Sequence, residues 1–60
     1  MRLVLVVDDY ADLRHTVATL LKGNGYDVVE ACDGQDALAQ LHRHSPDLVV
    51  LDLNMPRAGR

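Results

Sequence analysis

The sequence LVVLD, at residues 48–52, decides the fold. Its aliphatic residues lie between Pro46 and Pro56, which interrupt regular structure on either side. A short run without polar positions is typical of a parallel strand that is buried on both faces. We therefore predict a strand over residues 48–52, with Asp52 at its carboxyl end.

A second apolar run, LVLVV at residues 3–7, is followed directly by the acids Asp8 and Asp9. Because this run is apolar at every position, both of its faces should be covered and it should lie in the interior of the sheet. Each of the two apolar strands thus delivers carboxylates to its carboxyl end. If the strands are parallel neighbours, Asp8, Asp9 and Asp52 meet in one pocket.

The segment after the first strand predicts a helix over residues 10–22. Asp12 near its start and Lys22 near its end have the charges that the helix dipole favours. The glycines of residues 23–25 tolerate positive φ and should end the helix. Its aliphatic residues recur at helical spacing and should pack on the sheet: Leu13, Val17, Leu20 and Leu21.

Residues 26–31 predict a second strand, which is more polar and therefore better suited to an edge of the sheet. Residues 34–44 predict a second helix, with Asp33 as its N-cap and Asp36 at the capping-box position. Pro46 follows the end of this helix. The apolar face of the helix should consist of Ala37, Leu38 and Leu41.

The resulting order, βαβαβ with short connections, predicts an α/β fold in which helices cover the faces of a parallel sheet. The expected strand order is 2-1-3. In such sheets ligands bind beyond the carboxyl ends of the strands, at the point where the winding direction reverses. That point lies between the first and third strands, where Asp8, Asp9 and Asp52 should converge.

Length and composition narrow the class of protein. Sixty residues make one domain at most, and a net charge of −3 argues against nucleic acid as a partner. Cys32 is the only cysteine, which excludes an intrachain disulfide and suits a reducing, cytosolic setting. The first apolar run is too short for a signal peptide, and no run approaches the roughly 20 apolar residues of a membrane span.

Three converging carboxylates require a compensating cation. Two carboxylates about 5 Å apart repel by about 3 kcal/mol at an effective dielectric constant of 20. Oxygen ligands of this kind suit Mg²⁺, which prefers octahedral geometry and retains several waters. A strand-end carboxylate beside the metal can act as a nucleophile toward phosphorus. The pattern therefore indicates a pocket that handles phosphate.

Each of these residues also has a simpler interpretation. Asp8 and Asp9 are compatible with first-turn acids of a helix, and Asp52 with a turn acid before a proline. Cys32 suits a small core position. The remaining candidates are a set of basic side chains that suit solvated surface positions, although the two arginines could also help to hold a phosphate: His15, His42, His44, Arg57 and Arg60.

Together the motifs resemble the receiver domains of two-component response regulators. The resemblance covers the whole chain: VVDD at residues 6–9, Arg14 in the helix that follows, ACDGQDAL at residues 31–38 and DLVVLDLNMP at residues 47–56. It implies a flavodoxin-like, doubly wound parallel sheet, of which this chain would form the βαβαβ half.

The resemblance also implies roles for individual residues. Asp52 corresponds to the phosphoacceptor, which takes a phosphoryl group from a sensor histidine kinase or a phosphotransfer protein. Mg²⁺ would be held by Asp8, Asp9, Asp52 and the backbone carbonyl of Asn54, with Asp8 acting mostly through water. Such a chain would be a phosphoacceptor signalling domain rather than an enzyme.

The sequence departs from the family in two ways. It ends after the loop of the third strand, before the fourth-strand Ser or Thr and the fifth-strand Lys that contact the phosphoryl group in the family. Arg60 also stands where the family usually has Gly. Without a fourth strand, residues 48–51 would form an exposed apolar edge, and we expect the chain to form a homo-oligomer through this edge.

Three functions therefore remain open. The first is a receiver-type phosphoacceptor module. The second is an interaction or self-association fragment that cannot be phosphorylated, because it lacks the second half of the receiver site. The third is a carboxylate-based Mg²⁺ enzyme of the phosphatase type, but Asn54 stands where such an enzyme would have an acid two residues after Asp52.

Overall fold

The chain forms a three-stranded parallel sheet flanked by two helices, as seen in a computed structural model that describes residues 2–51. The elements are β1 (Leu3–Val7), α1 (Ala11–Gly23), β2 (Asp27–Ala31), α2 (Gly34–Arg43) and β3 (Leu48–Leu51). The strand order is β2-β1-β3, and both strand pairs are parallel. The predicted α/β class and the 2-1-3 order are confirmed, and they match half of a flavodoxin-like sheet.

The register of the sheet brings the ends of the three strands to one edge. Val7, the last residue of β1, lies beside Ala31 of β2 on one side and Leu51 of β3 on the other. The two apolar strands are thus parallel neighbours, as predicted. Asp52, Asn54, Arg57 and Arg60 lie outside the described residues, so the predicted closeness of Asp52 to Asp8 and Asp9 stays a prediction.

The core is centred on β1, which lies in the interior of the sheet as predicted. Val4, Leu5 and Val6 are at most 2% exposed. Successive side chains of a strand point to opposite faces, so β1 contributes to the packing on both sides of the sheet. Each fully buried aliphatic side chain of this size stabilises the fold by about 1.5–3 kcal/mol.

The two helices cover opposite faces of the sheet. Leu5 and Val7 pack with Ala31 and with Ala37 of α2, which places α2 on that face. Glu30 precedes Ala31 in β2 and therefore points to the other face. There its carboxylate contacts side chains of α1, so α1 covers the second face.

The expectation that the third strand is buried on both faces is wrong for β3. Leu48, Val49 and Leu51 are 56%, 37% and 62% exposed. Within residues 2–51, β3 pairs only with β1, and neither helix packs on it. Among the described residues, the strand is therefore an exposed apolar edge, as expected for residues 48–51.

Three leucines on the predicted apolar faces of the helices are also exposed. Leu20 of α1 is 62% exposed, and Leu38 and Leu41 of α2 are 60% and 41% exposed. The expectation that Leu20 packs on the sheet is thus wrong, and the small residue Ala18 is the buried residue of α1. The buried residue of each helix is thus an alanine, Ala18 in α1 and Ala37 in α2.

The helix ends follow the local sequence signals. Asp33 is the N-cap of α2, and its side chain accepts a hydrogen bond from the Asp36 N–H at 2.8 Å. Tyr10 occupies the N-cap position of α1 without a capping side-chain bond. Gly25, just beyond α1, has φ +91°, a conformation that glycine adopts without steric cost.

The start of β3 is fixed beside β1 by a reciprocal pair of hydrogen bonds. The Leu3 N–H donates to Asp47 Oδ2 at 2.9 Å, and the Asp47 N–H donates to the Leu3 carbonyl at 2.8 Å. These bonds set the register that ends in the pair Val7 and Leu51. In the part of the chain that the structure describes, neither helix is long and apolar enough to cross a membrane.

Candidate functional site

An open cavity of about 340 Å³ lies at the carboxyl edge of the sheet. All three strands reach it, because it includes the last residue of β1, the residues just after β2 and the last residue of β3. Its lining consists of Val7, Asp8, Asp9, Cys32, Asp33, Gly34 and Leu51. This is the place where the reversal of winding in a 2-1-3 sheet predicts a ligand site.

Asp8 is the buried acid of the cavity, at 3% exposed. Its N–H donates to the Ala31 carbonyl at 3.1 Å, and its carboxylate Oδ1 accepts the Tyr10 N–H at 2.9 Å. Its own carbonyl accepts a hydrogen bond from Arg14 Nη1 at 2.8 Å. Asp8 thus donates a hydrogen bond to β2 and accepts bonds from the residue before α1 and from an α1 side chain, which fix its backbone and its carboxylate.

Asp9 is the exposed acid of the same cavity. One shielded and one solvent-facing carboxylate therefore stand next to each other beyond β1. Among residues 2–51, no group of three or more His, Cys, Asp or Glu side chains is arranged to hold a metal ion.

The turn from β2 to α2 forms the opposite wall of the cavity. The carboxylate of Asp36 accepts the Cys32 N–H at 3.0 Å and a bond from the Gln40 side chain at 3.3 Å. The Cys32 N–H, followed by the Gln40 amide, holds the pKa of Asp36 below its usual value. Asp33 caps the same turn, so local hydrogen bonds fix this wall.

Cys32 was expected in the core, and that expectation is wrong, because the residue is exposed beside the cavity. Loss of solvation, followed by the negative charges of Asp33 and Asp36, raises the pKa of its thiol above the usual value. The thiol therefore stays protonated near neutral pH. It adds a neutral polar group to the cavity wall.

On the face of the sheet that α1 covers, three side chains form a charged cluster: Arg14, His15 and Glu30. Glu30 Oε1 accepts a hydrogen bond from Arg14 Nε at 2.9 Å and lies 2.7 Å from His15 Nδ1. Desolvation raises the pKa of Glu30, but the bonds from Arg14 and His15 outweigh it and bring the pKa below the usual value. The Glu30 carboxylate therefore stays ionised and holds Arg14.

The structure thus brings together two of the predicted site residues, Asp8 and Asp9, in one cavity. The other two, Asp52 and Asn54, lie outside the described residues. His15 is exposed, as predicted, but it has a partner in Glu30. Neither His42 nor His44 lines the cavity.

Sequence reasoning missed several residues of this region. Glu30 was seen only as a polar residue of an edge strand, and Asp33 only as a helix cap. The signal that could have found Asp33 and Cys32 is their position directly after a strand, at the edge where β1 also ends. No local signal marks Glu30 as the partner of Arg14, because 16 residues separate them.

Comparison with known proteins agrees with this geometry. The family model of the response regulator receiver domain matches residues 4–59. The chain is 50% identical over 54 residues to the probable transcriptional regulator ycf27 of Porphyridium aerugineum, covering 90% of this chain and 22% of that protein. It is 46% identical over 57 residues to the transcriptional regulatory protein PdtaR of Mycobacterium tuberculosis, covering 93% and 28%.

A third relative is the protein PilG of Pseudomonas aeruginosa, 46% identical over 54 residues, which cover 90% of this chain and 40% of that protein. The chain therefore spans less than half the length of each of these relatives. The family match at residues 4–59 includes every residue that lines the cavity, and with them its two acids Asp8 and Asp9.

Proposed function

Because this chain belongs to the response regulator receiver domain family of two-component signalling, we propose that it is a phosphoacceptor module in which Asp52 receives the phosphoryl group. The donor is a phosphohistidine of a sensor histidine kinase or of a phosphotransfer protein. The observation that carries the proposal is the cavity lined by Asp8, Asp9 and Leu51. Leu51 directly precedes Asp52 in the sequence.

The transfer requires a nucleophilic oxygen. A carboxylate oxygen of Asp52 attacks phosphorus while the bond between phosphorus and the histidine nitrogen breaks. The electron pair stays on the imidazole nitrogen, which then takes up a proton. The product is an aspartyl phosphate on this chain. The chain thus ends the reaction modified, as a phosphoacceptor rather than an enzyme that turns over.

The acid pair suits a divalent cation, and we propose Mg²⁺ held by Asp8, Asp9, Asp52 and the backbone carbonyl of Asn54. Carboxylate and carbonyl oxygens are the donors that Mg²⁺ prefers. When bound, the ion offsets the negative charge of the transferring phosphoryl oxygens. The Tyr10 N–H engages Asp8 Oδ1, which supports a role for Asp8 mainly through water, whereas Asp9 faces solvent and can bind directly.

The proposal is tested by incubating the chain with Mg²⁺ and acetyl phosphate, or with a phosphorylated sensor kinase, and measuring the intact mass. We expect a single labile phosphoryl adduct that requires Mg²⁺. The Asp52→Asn variant should form no adduct, because an amide oxygen is a poor nucleophile. The matched control is Asp27→Asn, an exposed acid at the opposite end of the sheet, which should be phosphorylated like the unchanged chain.

A second function is favoured by the exposed apolar edge. Leu48 and Leu51 of β3 are more than half exposed, which suits self-association or docking of another protein. An interaction fragment of this kind would bind Mg²⁺ through its acids without accepting a phosphoryl group. In the mass experiment, no adduct despite Mg²⁺ binding would support this function and contradict the phosphoacceptor.

A further inference from the structure

The charged cluster of Arg14, His15 and Glu30 contacts the turn that carries the two acids proposed to bind the metal. We propose that Arg14 is a positioning residue, which holds the turn carrying Asp8 and Asp9 in the geometry that binds Mg²⁺. This inference rests on the proposed metal site. It adds a residue that lies on α1, outside the cavity lining, and acts through the backbone of Asp8.

The geometry supports this role because one guanidinium joins three elements. Arg14 Nη1 donates to the carbonyl of Asp8 at 2.8 Å, while its Nε donates to Glu30 Oε1 at 2.9 Å. The first acceptor lies in the turn after β1 and the second in β2. The planar fork of arginine sets the two contacts in a fixed relation, which a lysine ammonium cannot reproduce.

The two hydrogen bonds of Arg14, to Asp8 and to Glu30, are also shielded from solvent. The side chains of Arg14 and Glu30 are 13% and 24% exposed. Charge-assisted hydrogen bonds are stronger than neutral ones, and screening by salt weakens partly buried pairs less than exposed ones. Arg14 therefore has a fixed partner in Glu30 and a second contact that bears directly on Asp8.

A positioning role and a simple charge effect predict opposite results when Arg14 is replaced. Removing a positive charge near a cation site lowers the electrostatic repulsion of the ion and should tighten Mg²⁺ binding. If Arg14 instead positions the turn of Asp8 and Asp9, its replacement lets the turn leave the geometry that binds the ion and should weaken Mg²⁺ binding. The sign of the change in affinity therefore separates the two explanations.

The test is a Mg²⁺ titration of the full chain, followed by the amide NMR signals of residues 8–10. We expect Arg14→Gln to weaken binding by about tenfold, at the lower end of the effect of residues that orient metal ligands. Arg14→Lys keeps the charge but not the fork, and it should also weaken binding. Unchanged or tighter binding in both variants would overturn the proposal.

The matched control is His15→Gln, the neighbouring residue of α1. It removes another contact to the same Glu30 oxygen without touching Asp8, so Mg²⁺ affinity should stay within about twofold of the unchanged chain. Urea unfolding of all three variants separates affinity from stability. If His15→Gln lowers affinity as much as Arg14→Gln, the effect is general loosening of α1 and the positioning role is wrong.

The same titration distinguishes this inference from the proposed function. If the unchanged chain binds no Mg²⁺, the metal site and the role of Arg14 are both wrong. If the unchanged chain binds Mg²⁺ and the Arg14 variants bind it equally well, only the role of Arg14 is wrong, and the phosphoacceptor function stands on its own test.

Discussion

The acids around the cavity accept hydrogen bonds from backbone N–H groups close by in the sequence. Asp8 accepts from Tyr10, Asp33 from Asp36, and Asp36 from Cys32. The Asp36 N–H belongs to the first turn of α2, whose amides lack partners within the helix, whereas Tyr10 and Cys32 lie just before the two helices. The same side chains that give the cavity its negative charge therefore also fix the two turns that border it.

The cap of α2 provides a test at the scale of one residue. Replacing Asp33 by Ala removes the bond to the Asp36 N–H and should lower the free energy of unfolding by about 1 kcal/mol, the usual cost of losing a cap. Urea unfolding monitored by circular dichroism measures this change. The control is Gln35→Ala, an exposed residue of the same turn, which should change stability by less than about 0.5 kcal/mol. Equal effects of the two substitutions would contradict the capping role.

Residue-level features differ in how far the sequence predicts them. The Asp33 cap was predictable because the cap and its partner lie three residues apart. The exposure of Cys32 was not, since a lone cysteine between a strand and a helix carries no mark of the side to which it points. The contact of Arg14 with Glu30 joins different elements and depends on the register of the whole sheet.

At the scale of elements, the charged cluster attaches α1 to β2. Glu30 is the shared acceptor, and Arg14 and His15 reach it from adjacent positions of the helix. Its carboxylate is ionised in the folded chain, with a pKa below the usual value of 4.5. The attachment of α1 should therefore depend on pH in the acidic range.

The sign of this dependence follows from the lowered pKa. As the pH falls below about 4.5, the unfolded chain takes up a proton on Glu30 before the folded chain does, so unfolding becomes easier. The contribution of Glu30 is fully present above pH 4.5 and is lost as the pH falls through its native pKa. Glu30→Gln should therefore unfold more readily at neutral pH and show a shallower loss of stability in acid. Urea midpoints measured from neutral pH downward test this, and parallel curves for the two chains would contradict it.

The positions of the strands and helices were largely predictable from the sequence. Which of their faces another element would cover was not. Uninterrupted aliphatic runs predict strands, and leucines at helical spacing predict the apolar face of a helix. Neither pattern says whether another element covers that face. Leu20, Leu38 and Leu41 fit the periodicity and are nevertheless exposed, because what covers a helix face depends on its neighbours in space and not on its own sequence.

At the scale of the whole molecule, the sheet has two unequal edges. The β2 edge carries Asp27 and Glu30, whereas β3 is aliphatic throughout. Charged side chains on an edge strand discourage pairing with another chain, and a flat aliphatic edge favours it.

The candidate metal site was predictable at this scale only in part, because the 2-1-3 order places Asp8 and Asp9 at the cavity edge but leaves the contribution of Asp52 to experiment.

The β3 edge leads to a prediction about assembly. Two copies can pair their third strands about a two-fold axis, which gives a continuous six-stranded sheet and buries the exposed leucines. Light scattering at micromolar concentration should therefore give the mass of a dimer or a larger assembly.

Leu48→Lys places a charge on a residue that is already 56% exposed, so it should abolish pairing at little cost to the core. Leu20 of α1 is similarly exposed, at 62%, so Leu20→Lys is the control for non-specific hydrophobic association, and this variant should still dimerise. A compact, folded monomer of the unchanged chain, or equal loss of mass in both variants, would contradict pairing through β3.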